Sequence, residues 1–264
     1  MGRSFIDIGA RGGLLSTLPH QTNRLSILTL FNEFKFYLFE PDQSIKLDFF
    51  SGIAKSELIH RAITIDSEAC QLYITKDPFK SSILEPDTEA LQRHFGGDAS
   101  DYSVVQELSV QGSPASTLLE QYAPSGEVWI KIDAQGIEGN ILESIDLDRV
   151  SVVIVELSAI QQYKEQITSD QTISLLLSSG FDLYFSNYKP SAPYENDFIF
   201  IRSKKLSRSD LVNLHIITSR YAAAFKVSKK LGEKAKICTW VLLNNVFSIA
   251  TFVKSFIRQI FRGQ

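Results

Sequence analysis

The chain has 264 residues, 44% of them hydrophobic and 22% charged, with 14 Gly, 8 Pro, 2 Cys and a formal net charge of −3. This suits one large α/β domain, or a medium domain with an appendage, and contains too little Gly and Pro for a fibrous or low-complexity chain. Cys70 and Cys238 sit far apart with no CxxC and no neighbouring His cluster, which points away from a disulfide framework or a zinc site and towards a reducing, cytoplasmic setting.

In chain order, Phe5-Ile6-Asp7-Ile8 predicts a strand over 4–8, so early that no signal peptide is expected before it. It runs into Gly9-Ala10-Arg11-Gly12-Gly13, a glycine-rich turn leading toward a helix, the place where α/β proteins bind nucleotide-like ligands. The spacing does not match GxGxxG, which disfavours a dinucleotide fingerprint. A second strand over 35–39 ends in Phe39-Glu40-Pro41-Asp42, and a carboxylate at that strand end can accept hydrogen bonds from both hydroxyls of a ribose. A third strand is predicted over 60–65, with Asp66 just beyond it.

Between residues 67 and 127 the pattern loosens. Gln71-Leu72-Tyr73-Ile74-Thr75 alternates like an edge strand, while Gly96-Gly97-Asp98 and Gln111-Gly112-Ser113-Pro114 read as turns, so substrate loops are expected there. The runs over 128–132 and 150–155 are almost continuously apolar, as in strands covered on both faces, and are expected in the middle of a mostly parallel sheet. The first is followed by Asp133-Ala134-Gln135-Gly136-Ile137-Glu138, again an acid and a glycine at a strand's carboxyl end. Further strands are predicted over 182–186 and 197–202.

From Ser209 the strand signals stop, and two helices are predicted, roughly 208–231 and 236–262. Charge marks the same division: residues 1–203 carry 15 Lys and Arg against 28 Asp and Glu, whereas 204–264 carry 12 against 2. A body over 1–203 and a basic amphipathic appendage over 204–264 are therefore expected. The uncharged stretch over 237–253 is shorter than the ~20 residues of a spanning helix and holds Asn244 and Asn245. The flanking cations suit a helix packed on protein or one lying at the inner face of an anionic membrane.

Several of these pieces together resemble the FkbM-type S-adenosylmethionine-dependent methyltransferases. They are Phe5-Ile6-Asp7-Ile8-Gly9-Ala10 with Gly13, Phe39-Glu40-Pro41-Asp42, Ser81-Ser82-Ile83-Leu84, Lys131-Ile132-Asp133 with Gly136 and Glu138, and Val153-Ile154-Val155-Glu156, in the family's order. The resemblance covers about residues 4–202 and implies a class I methyltransferase-like, Rossmann-like sheet of seven mostly parallel strands whose last strand is antiparallel. It implies S-adenosylmethionine as cofactor, with Asp7, Gly9, Ala10 and Gly13 around its methionine end, Glu40 on its ribose and Asp66 near its adenine. Asp133 would face the transferred methyl as base or orienting group, and the acceptor would be a hydroxyl of a small molecule, sugar, glycan or glycolipid precursor.

Arg11 can meet either a ligand or an internal carboxylate, Glu138 can serve the start of the next helix, and His60 and His94 stand as reserve bases. The competing expectation is a non-catalytic α/β scaffold held at a membrane or partner by its basic helices. A nucleic-acid partner is not expected, because the body is acidic and the appendage carries no recognised binding motif.

Overall fold

The computed structural model describes residues 2–11, 34–44, 56–188, 194–207 and 210. By its contacts the chain divides into two units, Met1–Ser203 and Lys204–Gln264. Nearly all of the second unit, including the helices predicted over 208–231 and 236–262, lies outside the described residues.

The body is built on β1 (Arg3–Ile8), β2 (Phe34–Phe39), β3 (Ser56–Ile59), β4 (Ala62–Thr64), β5 (Ala69–Thr75), α1 (Thr88–Phe95), β6 (Val104–Pro114), α2 (Ala115–Tyr122), β7 (Glu127–Ile132), α3 (Glu138–Ser144), β8 (Val150–Ser158), α4 (Ser169–Ser178), β9 (Asp182–Tyr188) and β10 (Glu195–Ile201). Seven strands form one sheet in the order β3-β2-β1-β7-β8-β10-β9. All its neighbours pair in parallel except β10, which runs antiparallel to both β8 and β9.

The two runs expected at the centre are β7 and β8. Every residue of β7 after Glu127 is buried, as are all but Glu156 in β8, which places apolar side chains on both faces. On one face Phe5, Phe34, Phe36 and Trp129 form an aromatic cluster, capped by the Arg3 guanidinium 4.3 Å from the Phe34 ring centroid. On the other, Ile6, Ile8, Ile130, Ile132, Val153 and Val155 pack with Leu118 of α2 and Ile141 of α3. α4 starts with a capping box: the Thr168 hydroxyl accepts from the Gln171 amide while the Gln171 side chain accepts from the Thr168 amide.

The strand predicted over 60–65 is β4, and the third parallel strand of the main sheet, β3, comes before it at Ser56–Ile59. The Arg61 amide turns back onto the Ile59 carbonyl at 2.9 Å, a tight reversal that ends β3 in the main sheet. The chain then enters β4, which belongs to a separate three-stranded sheet ordered β4-β6-β5. Residues 111–114, expected as a turn, instead close β6. The Gly112 amide bonds the Glu68 carbonyl at 2.7 Å, and a Cβ at Gly112 would lie 2.5 Å from the Ser67 carbonyl oxygen. Glycine marks close backbone approach here, not chain reversal.

Candidate active site

The order of the main sheet reverses between β1 and β7, the switch point beside which open α/β sheets bind ligands at their strand carboxyl ends. A cleft of about 310 Å³ opens there, within the ~300–1,000 Å³ range of small-ligand sites. Its lining includes Gly9 after β1, Glu40 after β2, Asp133 after β7 and Glu156 near the end of β8. The inserted β4-β6-β5 sheet and the turn after it add Ile63, Leu72 and Pro78 to Ile83.

Gly9 has φ +78, and a Cβ there would lie 1.8 Å from the Asp133 carbonyl oxygen. The turns after β1 and β7 therefore touch backbone to backbone, and only glycine allows this while also facing the cleft. The amides of Gly9 and Ala10 both donate to the Phe39 carbonyl at 3.0 Å, and the Asp133 amide donates to the Ile8 carbonyl at 2.9 Å, so three strand ends are tied together.

Glu40 is 4% exposed. Burial pushes its carboxyl above the ordinary value of 4.5, against the amide of Asp42, which donates to Oε1 at 2.9 Å, and the Arg11 guanidinium at 3.7 Å. Arg11 also pairs with Asp42 and donates to the Pro78 carbonyl at 2.9 Å, so its guanidinium is spent on internal carboxylates and the turn over the cleft. Burial pushes Asp42 up as well, but the Ser44 hydroxyl and amide together with Arg11 outweigh it and hold the carboxyl below its usual range.

Beneath Asp133 lies Lys131, its Nζ 3.2 Å from Asp7 Oδ1 and 3.4 Å from Asp133 Oδ2. Asp7 is 1% exposed and supplies no atom to the cleft lining; it reaches the site through Lys131. Ala10 is wholly buried and packs beneath the turn. Asp66 is exposed on the turn after β4, outside the lining, and Gly13 lies outside the described residues. Of the predicted residues, the structure thus brings Gly9, Glu40 and Asp133 together on one cleft.

The turn from Asp133 to Glu138 is closed by its own side chains. Gln135 has φ +57, and its carboxamide reaches Asp133, Glu156 and Tyr163. The Glu138 carboxyl folds back inside the turn and accepts the amides of Ala134 and Gly136 at 2.9 Å each. Burial, reinforced by the charges of Asp133 and Glu156, outweighs these N–H donors and pushes Glu138 up to about 8. Opposite, Lys80 Nζ lies 2.6 Å from Glu195 Oε1, which also accepts from Gln162 Nε2 at 2.8 Å. Glu156 was findable by the same rule that selected Glu40, an acid closing a buried strand. Lys80 and Glu195 are 115 residues apart, and no local pattern links them.

Among the described residues no group of three or more His, Cys, Asp or Glu is placed to hold a metal ion, and no helix is long and apolar enough to cross a membrane. A seven-stranded sheet of this order with one antiparallel strand, and a cleft at its switch point flanked by an acid after the second strand, defines a class I methyltransferase-like fold. A family model for the methyltransferase FkbM domain matches residues 7–183, from the end of β1 into β9, and the chain belongs to this methyltransferase family. No curated protein matches the chain.

Proposed function

We propose that the protein is an S-adenosylmethionine-dependent O-methyltransferase whose acceptor is a hydroxyl of a sugar, glycan or glycolipid precursor. The reading rests on one observation: Gly9, Glu40 and Asp133, from three separate strand ends, line a single cleft at the switch point of the sheet.

The side chains present fit the donor. Glu40 offers a buried carboxylate to the two hydroxyls of a ribose, and Ile63, Leu72 and Ile83 offer apolar surface to a purine. Asp133 and Glu156 bring negative charge to the part of the lining that would meet a cationic sulfonium. When bound, the donor supplies an already electrophilic methyl group. The protein's task is then to hold an acceptor oxygen in place, shed water and manage one proton.

Asp133 is the group for that proton. Its side chain is one-third exposed, is held from behind by Lys131, and accepts from Gln135 on its other oxygen, so it presents a fixed hydrogen-bond acceptor to the cleft. Phe79 is 62% exposed at the rim and gives the C–H face of a sugar ring an apolar platform.

The test begins with calorimetry on the full chain, using S-adenosylmethionine and its demethylated product, followed by transfer of labelled methyl to a panel of sugars and glycolipid precursors. Binding of both ligands and labelling of a hydroxyl are expected. Asp133→Asn is expected to lower kcat by ~100-fold or more, the scale of a lost general base. Unchanged turnover at saturating acceptor would remove Asp133 from the proton's path. Failure of the chain to bind either ligand would favour the non-catalytic scaffold.

A further inference from the structure

We infer that Gln135 is a positioning residue: its carboxamide locks Asp133 and Glu156 into one anionic pair that makes the cleft prefer a positively charged sulfur ligand over its neutral counterpart. The inference rests on the donor reading above and deepens it.

Gln135 sits at φ +57, a conformation few residues other than glycine adopt, and Gly136 follows at φ +104. The surrounding structure holds both. A Cβ on Gly136 would lie 2.5 Å from the ring of Tyr163, and the Glu138 carboxyl takes the amides on either side of Gln135. This backbone sends the Gln135 side chain across the cleft wall. Nε2 lies 3.3 Å from Asp133 Oδ1 and 3.4 Å from Glu156 Oε2, and Oε1 accepts from the hydroxyl of Tyr163 at 3.2 Å.

The orientation of the amide follows from chemistry. Two ionised carboxylates can only accept, so the NH₂ must face them, and the reverse placement would set a carbonyl oxygen against both. Each N–H then serves one carboxylate and the carbonyl is taken by Tyr163, which leaves the carboxamide no rotational freedom. Tyr163 is fully buried, and its single hydroxyl proton is shared between Gln135 Oε1 and the Lys80 carbonyl, the latter at 2.9 Å. The clamp is thereby anchored to the turn that forms the opposite wall.

Without it, Asp133 and Glu156 would lose the donor they share, and their mutual repulsion would go unscreened at that point. Lys131 also holds Asp133, from below. With it, two negative charges stay fixed on the lining of one cleft. A pair held in this way attracts a cationic sulfonium more than a thioether of the same shape, because charges fixed before binding cost no reorganisation.

The experiment is isothermal calorimetry on the full chain with S-adenosylmethionine and with S-adenosylhomocysteine, which differ by the methyl group and the charge on sulfur. The quantity read is the ratio of the two dissociation constants. Gln135→Leu is expected to shift that ratio against the sulfonium by about fivefold or more, the scale of one lost charge-assisted hydrogen bond. Tyr163→Phe keeps the ring and removes only the anchoring hydroxyl, so it guards against a Gln135→Leu chain that fails to fold. It is expected to shift the ratio the same way by about twofold. A general loosening of the site would weaken both ligands alike and leave the ratio alone. If the wild type binds both ligands and neither folded variant changes the ratio, the inference is overturned and the donor reading stands. If the wild type binds neither ligand, the donor reading falls and takes the inference with it.

Discussion

Glu40 is nearly withdrawn from water, yet the role proposed for it, accepting hydrogen bonds from a ribose diol, calls for its charged form. Burial raises its carboxyl above 4.5, and the Asp42 amide and Arg11 recover only part of the shift. Ionised Glu40 is the binding form, so donor affinity is expected to fall on acidification at a higher pH than an ordinary glutamate would give. Glu40→Gln is expected to weaken S-adenosylmethionine binding by roughly tenfold near pH 7.5 and to abolish most of the acid limb; titrations between about pH 5 and 8 measure both effects. If wild type and variant lose affinity in parallel, another group controls the acid limb. Glu40 and Asp133 were legible in the sequence because each directly follows a strand, and strand ends are where this class of sheet places its chemistry. Gln135 was not, because its meaning lies in Glu156 and Tyr163, residues 21 and 28 positions away that only the folded sheet brings beside it.

The turn between β7 and α3 shows how one element stores a pH dependence. Glu138 shifts from 4.5 to about 8 because the folded turn buries it. A carboxyl raised by folding contributes stability while protonated, in full below about 4.5, and that contribution is lost as pH rises through about 8. Glu138→Gln keeps a carbonyl for the Ala134 and Gly136 amides that now bond Oε1, but it cannot ionise. The variant is expected to lose the wild type's decline in stability across this window and to be the more stable protein at the alkaline end, by on the order of a few kcal/mol. Urea midpoints between about pH 5 and 9 check it, and parallel curves would show that Glu138 is not the titrating group. At this scale the sequence exposed the buried strands and missed β6. β7 and β8 announce themselves by unbroken apolar runs, whereas residues 104–107 of β6 are all exposed and the alternation of half-buried Leu108 and Val110 with exposed Glu107, Ser109 and Gln111 is short. That strand is specified by its pairing with β5 and, at its far end, with β4, which is information held elsewhere in the chain.

For the molecule as a whole, the unequal distribution of charge is the property that no single site expresses. Residues 1–203 carry a surplus of 13 acidic groups and residues 204–264 a surplus of 10 basic ones. The appendage lies almost wholly outside the described residues, and its sequence carries the pattern. Lys226, Lys229, Lys230, Lys234 and Lys236 precede an uncharged stretch over 237–253, and Lys254, Arg258 and Arg262 follow it. An anionic bilayer attracts each nearby cation by about 1 kcal/mol, while the acidic body is repelled, and the balance is set by a screening length of ~8 Å at physiological salt. The full chain is therefore expected to bind vesicles containing phosphatidylserine, to bind neutral ones far more weakly, and to be released as salt rises. Replacing Lys226, Lys229 and Lys230 by Gln is expected to weaken vesicle binding by at least about tenfold without altering calorimetric donor affinity, since the cleft draws its described lining wholly from residues 8–195. Sedimentation with vesicles reads the first quantity. Equal partition onto neutral and anionic vesicles would show that the basic segment serves contacts with protein instead.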